Sequence, residues 1–368
     1  MNTRSVIDFA NTADDEAMRN ILRRTPMPGD ISLAFLREPS FFAVGKIGNE
    51  KNQTIVCRAG VAGDVVGFAC RSVRNLYVDG EKKAIGYLNM LRLLPEFRGG
   101  MTLAKAHRHL RTLHEDGEVP YYLTTILEEN GRFQSVLQRP RAGHPVYHQI
   151  GTLVTYLIPI KKRNMCGKVD VDVQKCPYHQ LPLAHKCLER WNQRYQFAPT
   201  YRFEEIFVKN DFSLGFSSDD LLVCESRGRI LGTFGVWNQQ SFKQTVVTGL
   251  SCRLSLLRPF LNCNSRLLGK PIIPKIGGEV KTLSACFMSS EDDDRGVFES
   301  LLSRACQIWS GRGHDYLCVA LCVGNGLSGI ASKYACRQLR SNIYLVYWAD
   351  SGVDLPCLKT SHLELATL

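Results

Sequence analysis

With 368 residues, 44% hydrophobic and 22% charged, the chain is long enough for two domains of ordinary size, each with its own core. The opening MNTRSVIDFANTADDEAMRN has no continuous apolar core for a signal peptide, and no stretch approaches the roughly 20 apolar residues of a membrane span, so a soluble, cytoplasmic protein is expected. A net charge of +11 suits an anionic partner such as an acidic peptide or a phosphate-bearing cofactor; with no finger spacing, RNA-binding signature or long basic run, nucleic acid is not expected.

The first predicted element is a helix over ADDEAMRNILRR, residues 13–24. Antiparallel-looking strands lead to AIGYLNMLRLLPEFR (84–98), a long strand that runs into a loop carrying Arg98 and Gly99. In MTLAKAHRHLRTLHED (101–116), Leu103, Ala106, Leu110 and Leu113 recur at helical spacing while Lys105, Arg108 and Arg111 face away; His107, His109 and His114 are placed on the solvent side. VPYYLTTILEENGRFQSVLQ (119–138) gives a strand that ends at Asn130-Gly131 and enters another helix.

Residues 161–185 are polar and contain Cys166, Cys176, His179 and His185, with Cys187 just beyond. They form no CxxC pair and no finger or ribbon spacing, so a linker is expected here and no metal site. The other cysteines sit mostly in apolar runs such as GFAC and YLCVALCV and are expected as reduced core residues.

The second half repeats the order of the first. TLSACFMSS, an acidic loop, Arg295-Gly296, a helix, the strand YLCVALCV and Asn325-Gly326 follow one another, and Arg98 and Asn130 recur at offsets of 197 and 195. Gly324, Gly326 and Gly329 also spell GxGxxG after a strand, with Asp350 ending the next strand. A dinucleotide fold builds further strand-helix units after that fingerprint, and only 18 residues follow Asp350. The repeat reads VGNGLSG instead as the counterpart of EENGRFQS, a strand-to-helix corner.

An insertion at about 250–281 carries Arg253, Arg258, Arg266, Lys270, Lys275 and Lys281 against Glu279, interleaved with Leu254, Leu256, Leu257, Phe260, Leu261, Leu267 and Leu268. The pattern fits a lid packed on its own domain with its basic side in water. It equally fits a cover over an acyl tunnel, a seat for an acidic peptide or carrier protein, or a contact with a membrane surface.

The succession of helix, antiparallel strands, long strand, Arg-Gly loop, helix, strand, Asn corner and closing hairpin resembles the GNAT superfamily of acyl-CoA-dependent N-acyltransferases. The residues that carry the resemblance are RSVIDFANTADDEAMRNILRR, LRLLPEFRGG with the helix from Met101, and YYLTTILEEN with Asn130; it covers nearly all of 3–160 and, more weakly, about 190–348. The fold class it implies is α/β, in the sense of a mixed α+β sheet: two GNAT-like domains in tandem, each a mostly antiparallel twisted sheet flanked by helices. Residues 1–160 would be the donor-binding and catalytic domain, 161–185 the linker, and 186–368 a degenerate domain with the basic, apolar insertion.

A Gly-rich turn before a helix points backbone N–H groups at a pyrophosphate, where the helix dipole also favours negative charge. The resemblance therefore implies that coenzyme A lies on Arg98, Gly99, Gly100, Met101 and Thr102, with Asn130 on its amide; Met101 and Leu103 stand where the family pattern has small residues. In the second copy Asp292, Asp293 and Asp294 would repel a pyrophosphate, so the first copy is expected to bind donor and the second to shape the acceptor or acyl site. The donor's pantetheine arm would enter between strands 84–94 and 121–128, where backbone N–H groups around Met90, Leu91 and Arg92 would hold the thioester carbonyl.

Glu128 is the expected base, directly or through water, with Glu129 as fallback, and Tyr147 the acid for the departing thiolate. No GxSxG and no persuasive Cys-His pair supports a covalent enzyme intermediate. Direct transfer of an acyl group, acetyl to fatty acyl, is implied from acyl-CoA or an acyl carrier protein to a primary amine of a small molecule or of a peptide Lys or ornithine. The rival is a non-catalytic acyl-CoA-binding or scaffold protein of the same fold. The oligomeric state is not written in the sequence.

Overall fold

Asn11 starts the first helix: its side-chain oxygen accepts from Ala13 N–H and Asp14 accepts back from Asn11 N–H, both at 2.9 Å. Met18, Ile21 and Leu22 then recur on one face and are buried against Val56 and Phe68 of the sheet. The computed structural model describes residues 6–44, 48–59, 63–98, 101–137, 143–160, 172–207, 214–357 and 359–368.

The first half runs β1 (Val6–Phe9), α1 (Asp15–Arg24), β2 (Ile31–Leu36), β3 (Lys51–Ala59), β4 (Asp64–Val78), β5 (Glu81–Leu93), α2 (Thr102–His114), β6 (Tyr122–Leu127), α3 (Gly131–Leu137) and β7 (Val146–Pro159). The second runs β8 (Asp172–Lys175), α4 (Leu181–Asn192), α5 (Phe203–Phe207), β9 (Leu221–Ser226), β10 (Arg229–Trp237), β11 (Gln244–Leu250), α6 (Cys252–Leu267), β12 (Thr282–Ser290), α7 (Arg295–Trp309), β13 (Tyr316–Cys322), α8 (Ser328–Tyr334) and β14 (Arg337–Tyr347). Elements of the second half thus begin inside the stretch expected as a linker: β8 pairs with β9, and Cys176 and Cys187 are buried in the core beside α4. Cys166 lies outside the described residues.

The strands of both halves join in one mixed, mostly antiparallel 12-stranded sheet, in the order β1-β3-β4-β5-β6-β14-β7-β13-β12-β10-β9-β8. The halves exchange their last strands. β14 pairs with both β6 and β7, and β7 pairs with both β14 and β13, all antiparallel. Side chains of β14 alternate accordingly, with Ile343 and Leu345 in one core cluster and Tyr344 and Val346 in the cluster beneath α2. A separate two-stranded sheet, β2 with β11, ties the halves together a second time.

The helical stripe of α2 is rotated from its expected place. His107 is buried with Leu110, and His114 stacks on Trp348 at 4.8 Å, because aromatic partners from β7 and the end of β14 meet that face. Among the described residues no helix is long and apolar enough to cross a membrane.

Candidate active site

β5 and β6 run parallel but pair at only two positions, Gly86 with Tyr122 and Tyr87 with Leu123, and then diverge. Gly86 makes that closure possible, since a Cβ there would stand 2.1 Å from the Tyr122 ring. Above it, Met90 has φ +56° and the β4–β5 register slips between Phe68 and Cys70. This is a β-bulge, which breaks the ladder and re-aims backbone groups. Gly67 admits the displaced strand, because a Cβ there would meet the Arg92 carbonyl oxygen at 2.7 Å.

The second half repeats this device. β12 and β13 pair only from Thr282–Tyr316 to Ser284–Cys318, Phe287 has φ +49°, and a Cβ on Gly232 would meet the Ser289 carbonyl oxygen at 2.7 Å. Met90 and Phe287 are 197 residues apart, the same offset as Arg98 and Arg295. The repeat therefore extends to a backbone feature that no residue type advertises.

The two gaps differ in what occupies their donors. In the second half Phe287 N–H donates to Glu364 Oε2 at 2.9 Å, and Tyr201 O–H reaches the same oxygen at 3.2 Å. The N-terminus of α7 is also filled, with Asp294 accepting from Gly296 and Val297 N–H at 2.7 and 3.0 Å. In the first half, among the described residues, no side chain accepts from Met90 N–H, and none caps α2 at Met101. Gly99 and Gly100 lie outside the described residues; Thr102 is the first residue of α2.

Three arginines gather beside the first gap. Arg98 Nε donates to the Leu93 carbonyl at 3.1 Å, Arg92 to that of Leu91 at 3.1 Å and Arg37 to that of Leu36 at 3.2 Å. Among the described residues none forms an ion pair within 4.0 Å; Arg98 acts on the Glu96 carboxylate only through space, helping to lower it. Burial, with Arg92 close by, brings the Arg37 guanidinium down to about 10; burial and then Arg98 lower Arg92. Arg37 was not singled out from the sequence, since it lies far from the loop in the chain and a lone Arg after a strand carries no signal.

The proposed acid and base are not brought together. Glu128 Oε2 accepts from Arg340 Nε at 3.0 Å, and Glu128 N–H donates to the Arg340 carbonyl, at the open end of the gap. Tyr147 pairs across from Val346, six residues further along β14, which is about 20 Å at 3.3 Å per residue. Tyr147 also stands two strands from the gap, packed under α2. Its hydroxyl lies 3.2 Å from His107 Nε2, and His107 Nδ1 lies 2.9 Å from His144 Nδ1. Burial, then His144, brings His107 down to about 4; burial raises the Tyr147 phenol. His107 is therefore not the solvent-facing residue expected. Glu129 and Asn130 are exposed at the corner into α3, whose first turn includes a Gln134 N–H to Asn130 carbonyl bond of 3.2 Å.

Glu364 is 3% exposed, and burial lifts its carboxyl to about 7, against the opposing pull of Phe287 N–H and Tyr201. A carboxyl with a folded-state value raised from 4.5 favours the fold below pH 4.5 and loses that contribution as pH climbs through 7. Relative to Glu364→Gln, the native chain is expected to lose about 3 kcal/mol between pH 4.5 and 8, read by urea unfolding across that range. A constant difference would remove Glu364 as the titrating group.

Among the described residues, no three His, Cys, Asp or Glu side chains gather as a metal site. No family model matches the sequence, and no curated protein matches it. In structure the chain is similar over 93% of its length, and 78% of the other chain, to Saccharomyces cerevisiae N-myristoyltransferase with bound myristoyl-CoA, at TM-score 0.60 and 12% identity. It is similar over 94% of its length to the GCN5-related glucosamine N-acetyltransferase region of a fungal multi-domain GH3 β-N-acetylglucosaminidase, at TM-score 0.60 and 14% identity, spanning 38% of that chain. A GCN5-related N-acetyltransferase from Anabaena variabilis matches at TM-score 0.50 and 12% identity, over 93% of this chain and 72% of that one. These likenesses show the fold alone: over nearly its whole length the chain is built like these acyltransferase structures.

Proposed function

We propose that this chain is an N-acyltransferase that takes its acyl group from a coenzyme A thioester held in the first half, between β5 and β6. The observation that carries the reading is the asymmetry of the two bulges. The Phe287 N–H and the α7 N-terminus are filled by the chain's own carboxylates, while Met90 and α2 carry none among the described residues. Arg98, Arg92 and Arg37 supply positive charge for the phosphates, which favours free acyl-CoA over a carrier-bound donor.

In this reading the amine attacks the thioester carbonyl, whose oxygen takes up negative charge against N–H groups of Met90, Leu91 and Arg92. The C–N bond forms, the C–S bond breaks, and the thiolate leaves with the donor. Glu128 accepts the amine proton, directly or through water, once the acceptor has displaced Arg340 from its carboxylate. Acid-base help of this kind contributes about 10² to 10⁴ in rate. The acyl group ranges from acetyl to fatty acyl and the acceptor is a primary amine: the named neighbours include both a myristoyl-CoA enzyme and a glucosamine N-acetyltransferase region.

The test is native mass spectrometry with a ladder of acyl-CoAs, followed by turnover on amine acceptors with Glu128→Gln. One donor bound per chain and a turnover lowered about 10²-fold or more are expected. Binding without turnover on any amine would favour the non-catalytic reading. No binding at any chain length would sink the coenzyme A donor.

A further inference from the structure

Helix α6 is amphipathic the wrong way round. Leu256, Phe260 and Leu267 fall within about 40° of one another around the helix, and they are 76%, 76% and 82% exposed. The opposite side holds the polar anchors: Asn262 Nδ2 donates to the Ile273 carbonyl at 2.9 Å, Ile273 N–H donates to Asn262 Oδ1 at 2.8 Å, and Arg258 Nε reaches the same carbonyl at 3.0 Å. A lid with its basic side in water, as the sequence suggested, would turn Leu256 and Phe260 inward. The side-chain amide of Asn262, bonded to both the backbone N–H and the carbonyl of Ile273, fixes the helix with them outward instead.

Within this segment the charge has one sign. Arg253, Arg266, Lys270 and Lys275 are exposed and have no carboxylate partner among the described residues, and no Asp or Glu occurs from Ser251 to Gly278. Ile276, 60% exposed, and Leu268 extend the apolar surface past the helix end. A contiguous apolar patch rimmed by polar groups marks an interaction surface. A second copy meeting this face would set these cations against their own counterparts, which opposes self-association.

We propose that α6 and the segment to Gly278 dock on the surface of an anionic lipid bilayer, with Leu256, Phe260 and Leu267 buried at the acyl boundary and the four cations on the headgroups. This is the composition of an interfacial helix: an apolar face, basic flanks and no acidic residue. It stands apart from the acyl-transfer reading and uses none of its residues.

The experiment is flotation of the full chain with vesicles of phosphatidylcholine alone and with about a third phosphatidylserine. Partitioning is expected to be at least tenfold stronger on the anionic vesicles, to fall steeply at high salt, and to drop about tenfold or more in Leu256→Glu/Phe260→Glu. Arg253→Gln/Lys270→Gln/Lys275→Gln should lose about fivefold per cation, with thermal unfolding of both variants unchanged. Binding to neither vesicle, equal binding to both, or binding indifferent to both variants would each overturn the proposal. So would a dimer abolished by Leu256→Glu/Phe260→Glu, which would assign the face to a second copy, or an acidic peptide that binds the face where vesicles do not.

Discussion

Residues 6–160 produced alone are expected not to reach a folded monomer, and co-production with residues 172–368 is expected to restore one. Without β14, β6 and β7 lose the strand between them, and β7 loses β13 on its other edge as well. Ile343, Tyr344, Leu345 and Val346 of β14 are each 0% or 1% exposed. Burying each contributes about 1.5–3 kcal/mol, together about 6–12, against a total stability of about 5–15 for a typical domain. The exposed, mostly apolar edges would also template aggregation. Size-exclusion chromatography and denaturant unfolding decide it: a monomeric 6–160 with a cooperative transition would mean that the first half closes its own sheet, against the exchanged pairing.

Replacing Arg92 and Arg98 by alanine is expected to weaken acyl-CoA binding by about 10² to 10⁴, and Arg295→Ala to leave it unchanged. Each charge-assisted contact to phosphate is worth about 1.5–3 kcal/mol, and two are removed. Arg295 occupies the matching position in the repeat, but the N–H groups beside it are held by Asp294. Burial and then Arg98 lower the Arg92 guanidinium, so its charge stands without a compensating anion pair in the free protein. Calorimetry on the three proteins distinguishes the halves. Weakening by Arg295→Ala with the double Arg92→Ala/Arg98→Ala silent would move the donor to the second gap.

Much of this was legible in the sequence because it is local. Apolar runs marked the strands at 84–93 and 316–322, the 3.6-residue period marked the helix from Thr102, and the recurrence of Arg-Gly and Asn-Gly gave the duplication. What stayed hidden is non-local. The pairing of β14 with β6 joins residues more than 200 apart, and nothing in either strand's composition says which neighbour it takes. Glu364 reads as an ordinary acid in a C-terminal segment until Phe287 N–H is found against it. His107 looked solvent-facing because a histidine among lysines and arginines breaks an apolar stripe; Tyr147 and His144, distant in sequence, provide the partners that let it turn inward. The insertion stayed open among several readings for a related reason: its apolar residues were visible, but the direction they face was set by one asparagine.

The exchanged strands also impose an order in time. β7 ends at Pro159 and β14 begins at Arg337, 178 positions later. At roughly 5–20 residues per second of synthesis, the place between β6 and β7 stands open for about 10–35 s while the rest of the chain emerges. For that interval the nascent protein presents two bare strand edges facing one vacancy, the shape another copy's β14 would fit as well as its own. Neighbouring ribosomes on one message would therefore be the setting in which two chains are most exposed to trading that strand.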